Sequence, residues 1–454
     1  MAAAHGGPRP TRRAAAVLGA AAVAGLFAPA GRARALSAPA PRIPRGVRAR
    51  RPGAPVTALA VDPPRWAGAP TRLAGLLPAS AGAVEAAVIA VRDARDGAHD
   101  VAHTGPCSVP ADGLALTGRA VLAPGRYTAW VSHLRGGRWV DQEHRTFEVP
   151  AALPAPPRDT ARRSGAYLGW PQTPADLTAW GRRRGRPVEV AGEYLDHRRW
   201  EWIAQPTSVL SAYGDGAWSA PLVLSVPLLA DPTPQDPAPS LAAVADGRYD
   251  APFRTLARSL AAQGLGATTL RLGWEANSPE NYSWSAVPDP AAYRAAFRRV
   301  VEVVRREAPA ARFDWGLTVA VDGGFDFRHC YPGDDVVDVV GIDVYDMSPQ
   351  GLAADERWDW YQCAPGGLDD VAEFAVAHGK PVGVDEWALA SSTWNGGGDD
   401  PRFVDRFRAW MDRWPVAHEI YNEVEYPYSD GRLLLGGRNP RAAAEYVAQF
   451  RAGA

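Results

Sequence analysis

Lysine is nearly missing from this chain: of its 49 basic residues only Lys380 is a lysine, and the rest are arginine. Fifty acidic residues bring the net charge to −1, so the basic excess that marks a nucleic-acid binder is absent. Cysteine is scarce too. Cys107, Cys330 and Cys363 are too few for a disulfide scaffold and lack CxxC spacing, which excludes a structural zinc site. A Cys330–Cys363 bridge stays open for an exported chain, with Cys107 left over. There is no HExxH, no EF-hand loop and no P-loop. His197 and His329 are candidates for contact with a substrate but have no metal-ligand spacing, so neither a metal nor a cofactor is expected. The apolar run from Ala14 to Ala30 is short and Ala-rich, and falls short of a membrane span.

What is present is a globular composition, 46% apolar and 22% charged, in 454 residues, enough for two folded domains behind a leader. Thr11-Arg12-Arg13, the apolar run and an A-x-A signal at Ala33-Arg34-Ala35 read as an export signal over residues 1–35. The paired arginines resemble a twin-arginine signal, and an uncleaved anchor is the alternative. A secreted monomer with no membrane attachment after signal removal is the expectation.

Residues 36–55, rich in Pro, Arg and Ala, read as a linker, and residues 56–150 as all-β. Gly136-Gly137 stands between two strand-like runs, as a tight hairpin requires. Leu122 to Tyr127 resembles a tyrosine corner, in which the hydroxyl bonds back to nearby backbone. The length fits one small immunoglobulin-like β-sandwich, either a spacer or a carbohydrate binder using Trp66, Trp130 or Trp139.

A second linker covers residues 151–163, and residues 164–454 alternate apolar runs with amphipathic segments. The strands are predicted at Ala166–Gly169, Val188–Tyr194, Leu222–Leu229, Thr268–Trp274, Phe313–Val319, Val336–Tyr345, Pro381–Trp387 and Val416–Asn422. Helices are predicted between them, among others at Ala251–Gln263, Pro290–Glu307, Leu368–His378 and Pro401–Arg413. Eight such units match an α/β (β/α)8 TIM barrel. An open doubly wound sheet needs a glycine-rich turn after its first strand, and Gly169-Trp170-Pro171 is not one.

In such barrels functional residues stand at the C-terminal ends of strands. Glu275 closes the fourth and Glu386 the seventh, each beside a tryptophan, Trp274 and Trp387. A carboxylate against an indole is disfavoured as an anion, which suits a general acid. A retaining glycosidase needs two carboxylates about 5 Å apart across the bond it cleaves. By the period of two, Arg271 shares a face with Glu275 beneath the site, to steer a carboxylate or to form a structural ion pair. Asp343 and Tyr345 share a face at the end of strand six, whereas Asp385 faces away from Glu386 and reads as structural. Fourteen of the 17 tryptophans lie in this segment; Trp274, Trp284, Trp387 and Trp394 are the candidates for stacking on sugar, with Trp358 and Trp360 behind them. Gly396-Gly397-Gly398 reads as a loop, static or mobile, and Asp400-Pro401 as the start of a helix.

These residues carry a resemblance. RLGWEAN (Arg271–Asn277) with Trp284, YPGDDVVDVVGIDVYD (Tyr331–Asp346), and Lys380-Pro381 through Glu386-Trp387 followed by Gly396-Gly397-Gly398-Asp399 resemble glycoside hydrolase family 26 and its strand-four/strand-seven relatives. The resemblance implies Glu275 as acid/base, Glu386 as nucleophile, Tyr345 as a hydroxyl that positions it, and Arg271, Trp274, Asn277, Trp284, Asp343, Trp387 and Trp394 on the substrate side. Where that family has His before the acid/base this chain has Trp274, at the position that reads the sugar's 2-hydroxyl. The implied partner is a β-linked polysaccharide, of β-mannan or β-glucan type, cleaved endo with retention. Hydrolysis of a bacterial exopolysaccharide or cell-wall glycan, or a non-catalytic polysaccharide-binding barrel, are the alternatives.

Overall fold

The computed structural model describes residues 59–64, 71–78, 86–95, 100–103, 113–152, 162–279, 282–319, 325–347, 354–363, 366–392, 396–426 and 430–451. The leader, residues 36–55, Trp66, Cys107 and Trp394 lie outside them. The chain divides into two compact units. Among the described residues no helix is long and apolar enough to cross a membrane.

The N-terminal unit holds two antiparallel sheets. Strands β1 (Leu59–Asp62), β2 (Thr71–Pro78) and β5 (Gly113–Ala120) form one. The other runs β4 (Asp100–His103), β3 (Ala86–Asp93), β6 (Gly125–Arg135) and β7 (Arg138–Val149). Gly136 and Gly137, at φ +57° and +70°, make the two-residue turn joining β6 to β7. Inward residues of both sheets, among them Leu59, Leu73, Ile89, Val91, Val131 and Phe147, share one apolar core. Tyr127 belongs to it, and its hydroxyl donates to the Ala123 carbonyl at 2.7 Å.

Eight parallel strands form the second unit and close into a barrel. They are β8 (Arg163–Tyr167), β9 (Ala191–Tyr194), β10 (Leu222–Val226), β11 (Thr269–Leu272), β12 (Arg312–Thr318), β13 (Val339–Tyr345), β14 (Val382–Ala388) and β15 (Val416–Asn422). With the helices around them this is a TIM barrel. Several helix starts are written in the sequence. Asp289 and Asp400 cap Pro290–Glu307 and Pro401–Met411 by accepting from the backbone N–H of Ala292 and Arg402, and proline opens both helices. Those helices lay apolar faces on the barrel: Phe403, Phe407 and Trp410 of the latter are buried.

The barrel floor is apolar, with Val190, Val223 and Ile420 in contact. Above it the interior is charged. Gly316 and Gly341 make that possible, because a Cβ on Gly316 would lie 2.7 Å from Arg271 Nε. On Gly341 it would lie 2.1 Å from Asp385 Oδ2 and 2.3 Å from Asp314 Oδ1.

Candidate active site

At the C-terminal end of β14, Glu386 is held from three directions. Arg271 Nη1 donates to its Oε1 at 3.0 Å; Tyr345 Oη, at 2.7 Å, and Asn422 Nδ2, at 3.3 Å, donate to its Oε2. Asn422 Nδ2 also reaches the hydroxyls of Tyr345 (2.6 Å) and Tyr426 (3.1 Å). Burial and the charge of Glu386 push Tyr345, Tyr194 and Tyr426 up, so these phenols stay neutral donors.

Arg271 is the hub. Fully buried on β11, it donates through Nη2 to Asp343, and its Nε lies 3.1 Å from Asp385 Oδ2 in an ion pair. Nη1 also lies 3.3 Å from Ser225 Oγ and 3.4 Å from Tyr194 Oη. Both roles open to it are present: Arg271 holds the Glu386 carboxylate and forms buried ion pairs with Asp343 and Asp385, and it has no exposed surface of its own. Asp343 is likewise fully buried against it, so neither lines a sugar site.

Asp385 corrects the period-of-two reading. Ile342 pairs with Val384 but Asp343 with Glu386, so β14 carries one extra residue at Asp385. Such a bulge puts two consecutive side chains on one face, and both carboxylates meet Arg271. Asp385 Oδ1 also accepts from His418 Nε2 at 2.7 Å. Burial alone would raise Asp385, but Arg271 and His418 hold it below the usual carboxylate range.

Glu275 lies three residues beyond the end of β11 and is buried. Its φ is +51°, a left-handed backbone that costs a non-glycine residue about 1–2 kcal/mol. The loop around it is tied down: Ala276 N donates to Gly316 O, Ser278 N to Glu275 O, Ala286 N to Ala276 O and Trp284 Nε1 to Trp274 O, all at 2.8–3.1 Å. Glu275 and Glu386 both act electrostatically on Asp343, Tyr282 and Tyr426, so the two carboxylates face common groups.

The tryptophans are placed otherwise than the sequence suggests. Trp387, fully buried, packs among Phe407, Tyr421, Tyr446 and Phe450 and donates to Glu419 at 2.6 Å, on the helix side of the barrel. Trp284 is buried with Tyr282 stacked on it at 4.4 Å. Trp274 is buried edge-on to Tyr194 and Tyr282, beside Glu275 in the chain but with no exposed face. Trp358 is buried against Phe403. Asn277 is spent on structure, its amide exchanging hydrogen bonds with Thr318 N and O at 2.9 and 2.8 Å. Among the described residues the exposed tryptophans of the barrel are Trp170, just after β8, and Trp202, after β9.

Gly397 and Gly398, after β14, are tied down. Gly397 N donates to Asp346 O and Gly398 N to Ala390 O, while Arg357 bridges Asp346 and Asp400. Cys330 is a buried free thiol, so no bridge joins it to Cys363.

Sequence reasoning passed over Tyr194, Asp314, His418, Asn422 and Tyr426. Tyr194 and Asn422 are the last residues of β9 and β15, so the strand-end rule applied to all eight strands finds them. Glu193 was also missed. Buried on β9, with Tyr213 Oη donating to it at 3.0 Å, it is pushed by burial up to about 7.

No protein-family profile and no curated protein matches the chain. Among solved structures it is similar to GH26C from a Muricauda species, at 16% identity and TM-score 0.45, over 65% of this chain and 84% of that one. It is also similar to a GH26 β-mannanase from Bacteroides ovatus (15%, TM-score 0.43, 65% and 86% covered). A third is a GH26-CBM35 β-(1,4)-mannanase from Podospora anserina (10%, TM-score 0.41, 87% and 96% covered). Likeness at these identities is one of fold and assigns no chemistry.

Proposed function

We propose that the barrel is a retaining β-glycosidase acting on a β-linked polysaccharide, with Glu386 as nucleophile and Glu275 as acid/base. The observation that carries this reading is the setting of Glu386: a carboxylate at the end of the seventh strand, oriented by Arg271, Tyr345 and Asn422, with Glu275 facing common neighbours. One oxygen of Glu386 attacks the anomeric carbon as the bond to the leaving oxygen breaks, and Glu275 gives that oxygen its proton. Glu275, now a carboxylate, takes a proton from water; the water oxygen bonds to the anomeric carbon and Glu386 leaves. The two carboxylates carry every step, so the reaction draws on no cofactor. Endo action on β-mannan or β-glucan is the finer reading, and residues 1–35 are the export signal of a secreted monomer whose N-terminal unit is an immunoglobulin-like spacer.

The test is incubation of the chain lacking residues 1–35 with β-mannans, mixed-linkage β-glucan, xylan and bacterial exopolysaccharides, with Glu386→Ala as control. New reducing ends in the wild type alone support hydrolysis, and azide restoring turnover to Glu386→Ala supports the nucleophile. An inverted product anomer overturns the mechanism. Equal polymer binding by both proteins without any turnover makes the barrel a binder.

A further inference from the structure

Beneath Glu386 the three side chains Asp314, Asp385 and His418 come together, fully or nearly fully buried, each offering a ligand atom within 4.8 Å of the others. Neither oxygen of Asp314 meets an ordinary donor, and Asp314 Oδ1 and Asp385 Oδ2 converge on the space that a side chain on Gly341 would fill. A lone buried carboxylate is strongly disfavoured, so this cluster needs either a proton or a cation. Two features speak against a cation. His418 Nε2 stands 2.7 Å from Asp385 Oδ1, a hydrogen-bond separation, whereas two ligands of one zinc-sized ion in tetrahedral geometry stand about 3.3 Å apart. The permanently charged Arg271 already lies 3.1 Å from Asp385 Oδ2, where it would repel a divalent ion.

We propose that Asp314 is a neutral carboxylic acid that donates its proton to Asp385, and that the Asp314–Asp385–His418 chain is a positioning unit holding Arg271 against Glu386. The titratable and charged groups around Asp314 are Arg271 from β11, Arg312 on its own strand, Asp385 from β14, His418 from β15 and Tyr293 from the helix Pro290–Glu307. Burial and the neighbouring Asp385 push Asp314 up, in keeping with a proton held at neutral pH. With Asp314 neutral, no charge is added to the three acidic groups that Arg271 already meets, Asp343, Asp385 and Glu386, of which burial pushes Asp343 up as well. The catalytic half of this proposal rests on the reading of Glu386 as nucleophile; the proton assignment does not.

The proton is read first, without any substrate. In the wild-type protein at pH 7, with 13C-labelled aspartate, infrared spectra are expected to show a protonated-carboxyl C=O band that disappears in Asp314→Asn. No such band, or a band unchanged in Asp314→Asn, overturns the assignment. So does one equivalent of zinc or manganese, found by elemental analysis after loading, that Asp314→Asn fails to bind. The positioning role is read on an aryl β-glycoside. Asp314→Ala is expected to lower kcat about tenfold or more with little change in KM. The acid limb of its pH profile moves to higher pH, because Arg271 shifts toward Asp385 and away from Glu386. Asp314→Asn, whose amide still donates, is expected to restore kcat and the acid limb; equal damage from Asn and Ala overturns that role. If Ala fails to fold, the Asn profile alone decides, since a charge required at position 314 would leave Asn as damaged as a null.

Discussion

The two units bury different things. Where the sheets of the N-terminal unit meet, the core is Leu59, Leu73, Ile89, Val91, Val131 and Phe147, with one hydroxyl, on Tyr127, satisfied four residues away. Where the barrel strands meet above the floor, the interior is Arg271, Asp314, Asp343 and Asp385, each 3% exposed or less. The first core is held by removing apolar surface from water, at about 25 cal/mol per Å². Dehydrating charge is costly, so the second is kept for what it positions rather than for stability. A core can thus be tight without being a source of stability.

Four measurements sharpen or break that contrast. Arg271→Met leaves Asp343, Asp385 and Glu386 without their guanidinium and is expected to lose about 3–5 kcal/mol in urea unfolding at pH 7, with a smaller loss at pH 5 as carboxylates take up protons. That loss measures the carboxylates left unpaired and not the worth of the cluster; an Arg271→Met protein as stable as wild type would show that no buried charge was left without a partner. In the other core, Ile89→Ala is expected to lose about 2–4 kcal/mol, while turnover per folded molecule stays at the wild-type level.

Glu193 gives the pH signature. Its pKa rises from 4.5 to about 7 in the fold, so the folded chain keeps a proton that the unfolded chain releases. The stability this group confers is complete below pH 4.5 and drains away as pH climbs to about 7, by about 2–3 kcal/mol. Thermal unfolding of Glu193→Gln against pH should lack that slope; curves parallel to wild type would refute the burial argument. The smallest effect belongs to Tyr127→Phe, which removes one hydrogen bond and is expected to cost about 1 kcal/mol in denaturant midpoint, with the slope unchanged.

The legible parts of the barrel were those with a local cause. Apolar runs marked all eight strands to within a few residues, and Asp289-Pro290 and Asp400-Pro401 announced their helices. Glu275 and Glu386 followed from their places at strand ends. Asp385 did not, because a bulge changes the phase of a strand without a sequence mark of its own, and the alternation rule pointed it outward. The tryptophans misled for a different reason. An indole beside a glutamate reads the same whether it faces sugar or helix, and Trp387 went to the helices. Buried charge was visible only in part: the period of two put Arg271 beneath the site, but nothing local in Gly316 or Gly341 says that an arginine and two aspartates will press on them from other strands.

The left-handed backbone at Glu275 has an evolutionary reading. Selection for thermal stability alone would drive that position to glycine, which adopts φ +51° at no steric cost. Selection for turnover would hold the glutamate there against the slope. Residue 275 therefore works as a recorder: a library challenged only by heat should lose its carboxylate early, and a library fed on its polymer should not.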